Sequence, residues 1–568
     1  MKHEVQGKQR CWNANCLITG LVVIVAVIAV NTVFAEEQNV DMEQEYQGKL
    51  LLISDIINDK SSILDSQGRT VMEISLSELI ARALKHNLDI QVSRFEPSIK
   101  MADVTSAEAA FDAVLFGSSQ WGRDDRANID ATFYDRTITS NGRSKVIRIP
   151  VDPFVRTHSD QYSIGINKKL PTGATVEVAQ TLRRYRDMYE DDTRYYDPFW
   201  EYGLEMQLNQ PLLRDFGIEV NRARIEIYKN DYRASKQEFQ QTVIEIAASV
   251  ETNYWRLFQA RQQVKILQQL IDRSEQSLQR AHQRDDYDGR SLSVSRIKGV
   301  LEQGKADMVS AINNVQKQQE ILLASLNDPE LPISGKWELI TLDNPSNREF
   351  NPDAAGATEI ALRVRPELIN QRLRLKSSEI VKDVAKNQRL PRLDMVLKQR
   401  ITGAGVEGSD AWDSQWDGQT TSYTFGVNIE LPIANRAAQA DYLKSQRQLQ
   451  QARLSLKNIQ EQIIADVNIA AHNVQYTYDE LAGRANKAQT DKEELLSYMI
   501  SQDNDARTSL TPDFIDRKVS ADQRMTNSQF YLVQTMINYD LAIMNYYRAQ
   551  GTLLRYNNIK VGEEAIKD

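Results

Sequence analysis

The chain has 568 residues, 69 Lys and Arg against 78 Asp and Glu, a formal charge of -9 and two cysteines. An acidic chain is a poor nucleic-acid ligand, and that class is set aside. Both cysteines, Cys11 and Cys16, fall in a segment that reads as a removable leader, so no disulfide framework and no thiol chemistry are expected of the remainder.

Residues 1–35 read as a secretory signal peptide. Lys2, Lys8 and Arg10 form its basic region, Leu17–Val30 its apolar stretch and Val33-Phe34-Ala35 its cleavage site. The apolar stretch is shorter than the ~20 residues a membrane-spanning helix needs, and no later segment reaches that length. Residues 36–72 are a polar N-terminal lead with no assigned role, and 561–568 form a tail.

Between these ends the same pattern occurs twice. A half-length helix leads into alternating strands and then into a long proline-free run. Ala83 to Phe116 aligns without gaps onto Ala361 to Asp394, and Asn221-Arg222-Ala223 and Asn435-Arg436-Ala437 open the two long runs. The reading is an internal duplication: a first repeat over 73–335, a linker over 336–355 and a second repeat over 356–560. In the first repeat, Leu76–Ala110 is a half helix interrupted by Pro97. Strands follow within 114–210, then a long helix over 221–289 and a return helix over 293–327. The second repeat has a half helix over Ala357–Arg389, strands within 393–431, a long helix over 435–502 and a return helix over 512–556.

The 14 prolines avoid Leu212–Asp328 and Ile433–Thr511. Proline costs a helix interior ~3 kcal/mol, so such gaps permit long helices. Val243, Ile246, Val250, Tyr254, Leu257, Ala260, Val264, Leu267 and Ile271 recur at the coiled-coil period.

Strand alternation is clean in four places. Tyr423, Phe425, Val427, Ile429 and Leu431 face one way and Thr424, Gly426, Asn428 and Glu430 the other; Tyr202, Leu204, Met206 and Leu208 behave likewise. So do Tyr162, Ile164 and Ile166, and Val176 and Val178 about Glu177. Apolar groups on one face with carboxylates and amides on the other suit a membrane barrel with a wet lumen; the bland alternative is a half-buried sheet in a soluble domain. Gln120–Ser159, Thr181–Glu201 and Thr402–Thr421 read as long polar loops, and Leu170-Pro171-Thr172-Gly173 as a tight turn. Trp121, Tyr195, Tyr196, Phe199, Trp200, Trp412 and Trp416 lie near strand ends, where an interfacial girdle would be. Four to six strands cannot close a barrel of at least about eight, and open edges are not tolerated in lipid. Several copies must therefore share one barrel.

With these elements in order, the chain resembles the TolC-type outer-membrane efflux family from Ile74 to Ile559. The resemblance rests on "SLSELIARALKHNLDIQVSR" and its duplicate "EIALRVRPELINQRLRL", on "AKNQRLPRLDM" and "NIELPIANRAAQA" around strands, on "VETNYWRLFQA" in the first long helix and on "YYRAQGTLL" near the end. It implies a mixed fold: an outer-membrane β-barrel shared between protomers plus a long periplasmic α-helical coiled-coil barrel. It implies a homotrimer in outer-membrane lipid, with twelve helical rods crossing the periplasm. A periplasmic adaptor (membrane fusion) protein and an inner-membrane transporter would be the partners, and drugs, metabolites or exported proteins the cargo. The chain departs from the family in three respects: Pro97 breaks a helix that is usually continuous, the polar segment Glu36–Val71 is extra, and the Tyr162–Leu182 hairpin looks like two strands beyond the usual four. If that hairpin joins, a trimer has eighteen strands rather than twelve.

Four site residues follow from the resemblance. Asp513 and Asp516 fall where family members ring the periplasmic aperture with aspartates, which would repel anions and attract cations. The competing reading is helix chemistry: Thr511 as N-cap, Pro512 in the first turn and acids favouring the helix dipole. The aligned positions of the first repeat hold Ser295 and Lys298. Arg290 and Arg507 sit at the two helical tips, where an adaptor would dock; solvated arginines are the ordinary alternative. His86, His158, His282 and His472 have no metal-ligand spacing, and no nucleophile–base set or phosphate loop is recognisable. The expected function is a passive exit duct of a tripartite efflux system, not an enzyme, with no cofactor and no metal. The alternatives are the exit duct of a type I protein secretion system and a pore-free periplasmic coiled-coil interaction protein.

Overall fold

A computed structural model describes residues 70–127, 133–150, 154–189, 199–288, 291–504 and 511–559. The expected signal peptide, most of the polar lead, the C-terminal tail, Tyr195, Tyr196, Arg290 and Arg507 lie outside the described residues. In chain order the elements are β1 (Thr70–Ile74), α1 (Leu76–His86), α2 (Leu88–Glu108), β2 (Ala113–Ala127), β3 (Phe133–Ser140), β4 (Arg143–Pro150), β5 (Phe154–Lys169), β6 (Thr175–Tyr189), β7 (Phe199–Pro211), α3 (Ile218–Asp288) and α4 (Ser291–Leu326). There follow β8 (Trp337–Thr341), α5 (Ala354–Val364), α6 (Pro366–Asn387), β9 (Arg392–Gly405), α7 (Gly408–Trp416), β10 (Thr421–Glu430), α8 (Arg436–Asn504), α9 (Pro512–Gln550) and α10 (Leu553–Tyr556). No helix among the described residues is long and apolar enough to cross a membrane. The chain divides into two compact units, one drawn from 1–88, 244–359 and 466–559 and the other from 89–243, 360–465 and 560–568.

The first unit is helical. Its core is the predicted seam: Val250, Tyr254 and Leu257 are wholly buried, together with Leu322, Leu326 and Leu532 from α4 and α9. At its side, β1 and β8 pair in parallel, Thr70 against Trp337 through Ile74 against Thr341. The expected linker is thus partly a strand. β8 is held from beneath by Arg261, whose Nη1 donates to Glu338 Oε1 at 3.2 Å and to the Leu339 carbonyl at 3.1 Å. Tyr254 donates its hydroxyl proton to Asp343 at 2.8 Å and accepts from the Asp343 N–H at 2.9 Å. The same carboxylate accepts from the Leu76 N–H at the start of α1.

The break in the first half helix is not at Pro97. Pro97 lies inside α2, and the chain bends instead at Asn87, with φ -59° and ψ 127°. Asn87 is held there by its own amide, which donates to the Ser325 carbonyl at 2.8 Å. Arg365, 278 positions later, has φ -62° and ψ 127° between α5 and α6. There the reason is local, because a residue before proline is driven out of the helical region.

The second unit carries a six-stranded sheet in the order β10-β9-β7-β6-β5-β2, antiparallel throughout. The β5–β6 hairpin is integral to it. Two of the expected loops are largely strand, since β2 runs to Ala127, β6 to Tyr189 and β7 begins at Phe199. Residues 133–150 form a further hairpin, β3 against β4. The third expected loop contains α7. These segments escaped the periodic reading because both of their faces are polar. Backbone pairing makes them strands, and cross-strand charges such as Arg184 near Asp160 at 3.9 Å accompany it.

Where the strands give way to the long helices, asparagines fasten the turns. Asn221 Nδ2 donates to the carbonyls of Asp215 and Gly217, and Asn435 Nδ2 donates to the Arg389 carbonyl at 2.9 Å. Asp215 (φ 65°) and Asn435 (φ 40°) adopt the left-handed conformation that short polar side chains tolerate. Gly173, at φ 95°, closes the β5–β6 turn so near the Asp215 carbonyl that a Cβ would collide with it.

Candidate functional site

Two places gather the residues singled out from the sequence: the sheet and the end of the helical unit. Register assigns every sheet residue to a face. One row runs Leu115, Ile166, Val178, Met206, Gln399 and Tyr423 across the six strands, and Leu208, Leu397 and Phe425 share that face. The other face carries Asn167, Glu177, Gln207, Lys398 and Thr424 in one row and Gln161, Arg183 and Glu201 in another. The four alternating segments recognised in the sequence therefore put their apolar residues on one common surface. It is bare: Leu115, Tyr423 and Phe425 are each exposed by 70% or more. A bare apolar surface of this extent in water is costly, at ~25 cal/mol per Å².

The polar face is laced across β7 and β9. Arg400 Nη2 meets Glu201 Oε1 at 2.7 Å, and Lys398 lies 3.7 Å from Glu205. The carboxylates of this ladder lie on β7 and its cations on β9, so each charge has an opposite neighbour across the strand pair. β2 and β10 have no partner on their outer edges within the described residues.

At the end of the helical unit, Thr511 caps α9 by accepting from the Phe514 N–H, and Pro512 opens the first turn. Both aperture candidates are paired. Asp513 is an exposed first-turn acid, 3.0 Å from Arg517 one turn on. Asp516 reaches across to α4, where Arg296 Nη1 stands 2.6 Å from Oδ2. Arg296 was not singled out from the sequence; it lies one residue from Ser295, the position aligned with Asp513. Beneath the pair, Ala281, Ile297 and Ile515 form a small buried cluster. Further up, Arg273 of α3 meets Asp522 of α9 at 2.6 Å, and Lys518 donates to Ser277 at 3.1 Å. Arg524 ties α9 to Glu494 of α8. Burial raises the Asp522 pKa, with Arg273 and Lys518 opposing that shift. Arg290 and Arg507, the expected docking arginines, lie outside the described residues.

Two buried carboxylates have no ion pair among the described residues. Glu251 of α3 is pushed up to about 7 by burial, against one hydrogen bond from Asn557 at 3.2 Å. Asp540 of α9 is pushed up to about 8 by burial and by the Glu251 charge, against the Ser346 N–H it accepts from. Neither was recognisable in the sequence, where each is one acid among 78. Among the described residues no group of three or more His, Cys, Asp or Glu is placed to hold a metal.

An amphipathic antiparallel sheet with free edges, joined to proline-free helices of 71 and 69 residues, defines a class of protein. The model of the outer membrane efflux protein family matches residues 181–325. The fold is that of solved outer-membrane channels. CmeC of Campylobacter jejuni superimposes with a TM-score of 0.59 at 14% identity, over 87% of this chain and 89% of that one. The open state of MtrE of Neisseria gonorrhoeae gives 0.56 at 16% identity, over 84% and 89%. VceC of Vibrio cholerae gives 0.55 at 15% identity, over 84% and 96%. Comparison with curated protein sequences gives no match. The match over residues 181–325 and the shared channel fold make the chain similar to the outer membrane efflux protein family.

Proposed function

We propose that the chain is a passive exit duct of the outer membrane, a homotrimer whose copies close one barrel from their sheets. The observation that carries this reading is the six-stranded sheet itself, apolar on one face, charged on the other and open at both edges. Three copies joined edge to edge give eighteen strands, with the exposed apolar rows toward lipid and the Glu201–Arg400 ladder toward water. Strands of 15 or 16 residues, at ~3.3 Å each, overrun an apolar band ~25 Å tall even when tilted. That accounts for the two-sided polar ends of β5 and β6. Val92, Phe95 and Ile99 are exposed along α2 at helical spacing, as a surface that meets another copy would be.

The correspondence of Asn87 with Arg365, and of buried Ala83 with Ala361, supports an origin by internal duplication. In this reading the leader is cleaved on export, the helices line a periplasmic tunnel, and the α3–α4 and α8–α9 ends meet the adaptor. Asp513 and Asp516 stand at the narrow end, with Arg290 and Arg507 at the docking tips. Small molecules delivered by an inner-membrane transporter are the cargo. Protein export by a type I system would use the same duct, because the transporter selects what enters. The domain arrangement stays as two repeats, 73–335 and 356–560.

Planar-bilayer recording of the detergent-purified oligomer tests the proposal. Discrete conductance steps are expected. A preparation that stays soluble without detergent and gives no steps would remove it and leave a pore-free interaction protein.

A further inference from the structure

α7 occupies an unexpected place. It belongs to the segment between β9 and β10 that reads as a polar loop, yet it lies flat on the sheet. Register decides which face it covers. Gly403 and Gly405 alternate with Leu397 and Ile401, so they belong to the apolar face. A Cβ on Gly403 would strike the Ala411 carbonyl and the Gln415 nitrogen, and one on Gly405 would stand 2.8 Å from the Ala411 nitrogen. The two glycines thus leave the space that the helix fills.

Side chains on that same face hold it. Trp412 packs edge-on against Tyr202, ring centroids 5.3 Å apart. Gln415 is fully buried, and its amide exchanges hydrogen bonds with Gln180 at 3.1 and 3.3 Å. A buried amide on an apolar surface is tolerated only when so satisfied. Once Ala411 and Gln415 face the sheet, helical geometry sends Trp412 and Trp416 to one flank, Asp410 to the other and Asp413 away from the sheet. The two indoles touch each other and remain 42% and 55% exposed.

We propose that α7 is a lipid-facing interfacial helix, seated on the outside of the barrel with its Trp412–Trp416 flank in the boundary between acyl chains and headgroups. The occupant of that flank is membrane lipid. The tryptophans are continuous with the exposed apolar rows of the sheet, and indoles favour this boundary. A helix of nine residues is too short to persist alone, so the glycine bed and the glutamine pair hold it while lipid completes its burial. The inference rests on the channel reading, and it turns the β9–β10 connection from a polar loop into part of the barrel wall.

Site-directed spin labels on the full chain in phospholipid vesicles test it, in a background carrying Cys11→Ser and Cys16→Ser. Labels are placed by Trp416→Cys, Asp413→Cys, Phe425→Cys and Thr424→Cys, and their collision with oxygen is compared with collision with a water-soluble nickel chelate. Phe425 and Thr424 examine the channel reading: oxygen preference at the first and nickel preference at the second are expected. Trp416 should then show a ratio of oxygen to nickel severalfold above that at Asp413. A Trp416 label as open to nickel as Asp413, or shielded from both reagents, overturns the proposal while leaving the channel reading intact. No oxygen preference at Phe425 overturns both.

Discussion

Arg296 and Asp516 form an ion pair at 2.6 Å between α4 and α9, two helices whose ends meet at the tip of the helical unit. Asp516 is therefore committed to a neighbouring helix and is not simply a first-turn acid. In the duct reading, this pair is a clasp on the narrow end. Arg296→Glu should break it and raise single-channel conductance or open probability. The partners are 56% and 40% exposed, and such pairs contribute ~0–1 kcal/mol, so a shift of at most about fivefold is expected. The double exchange Arg296→Asp with Asp516→Arg should restore the original behaviour. Equal recordings from all three proteins would remove the clasp.

The ladder on the polar face makes a second prediction. Glu201→Gln leaves Arg400 without its 2.7 Å partner and should shift reversal potentials toward anion preference. Lys398→Gln should shift them toward cations. The two changes act on the same face of the sheet, so opposite signs are the diagnostic. Shifts of the same sign, or none, would mean that this face does not line the water path.

Stability should depend on pH through Glu251 and Asp540. Burial raises both pKa values in the folded chain, to about 7 and about 8, against ordinary values of 4.5 and 3.8. The folded state therefore favours the protonated acids. Their contribution is fully present below the ordinary values and is lost as pH rises through the folded ones. Thermal unfolding in detergent should fall progressively from pH 5 to pH 9. Glu251→Gln with Asp540→Asn should flatten that slope and gain most at pH 9. An equally steep slope in the double variant would assign the dependence elsewhere.

The buried pair of Arg261 and Glu338 gives a fourth prediction. Their side chains are 5% and 0% exposed. Arg261→Ala removes the guanidinium from beside a buried carboxylate and should cost about 3–5 kcal/mol in an unfolding titration. Arg261→Met with Glu338→Leu should recover most of that loss. If the single variant unfolds like the parent, β8 is not anchored as described.

Much of the fold is written in periodicity, and the exceptions have particular causes. The seam from Val243 to Ile271 and the four alternating segments could be read because each buries, or offers for burial, one face of a regular element. The outer parts of β2, β5 and β6 could not. Residues such as Arg183, Arg184 and Arg186 give no contrast between faces, and only pairing with a distant strand makes them extended. Pro97 misled for the opposite reason, since a strong local signal was absorbed within α2 while Asn87, locally unremarkable, made the bend through Ser325. At the tip, Asp513 and Asp516 were visible as helix-start acids, but Arg296 is 220 residues away and only packing brings it near. α7 was hidden in a segment rich in Gly, Ser and Asp, and the paired glycines of β9 were its sole trace.

The central claim is that the bare edges of β2 and β10 join between copies. Cysteines introduced along β2 at Gly117, Ser118 and Ser119 and along β10 at Tyr423, Thr424 and Phe425, taken in all nine pairings in a background free of Cys11 and Cys16, test it under oxidation in membranes. The account predicts that pairings in register give a covalent ladder ending at three copies, reversed by reductant. Monomer in every pairing, from protein that remains monodisperse as a single copy in detergent, would contradict it.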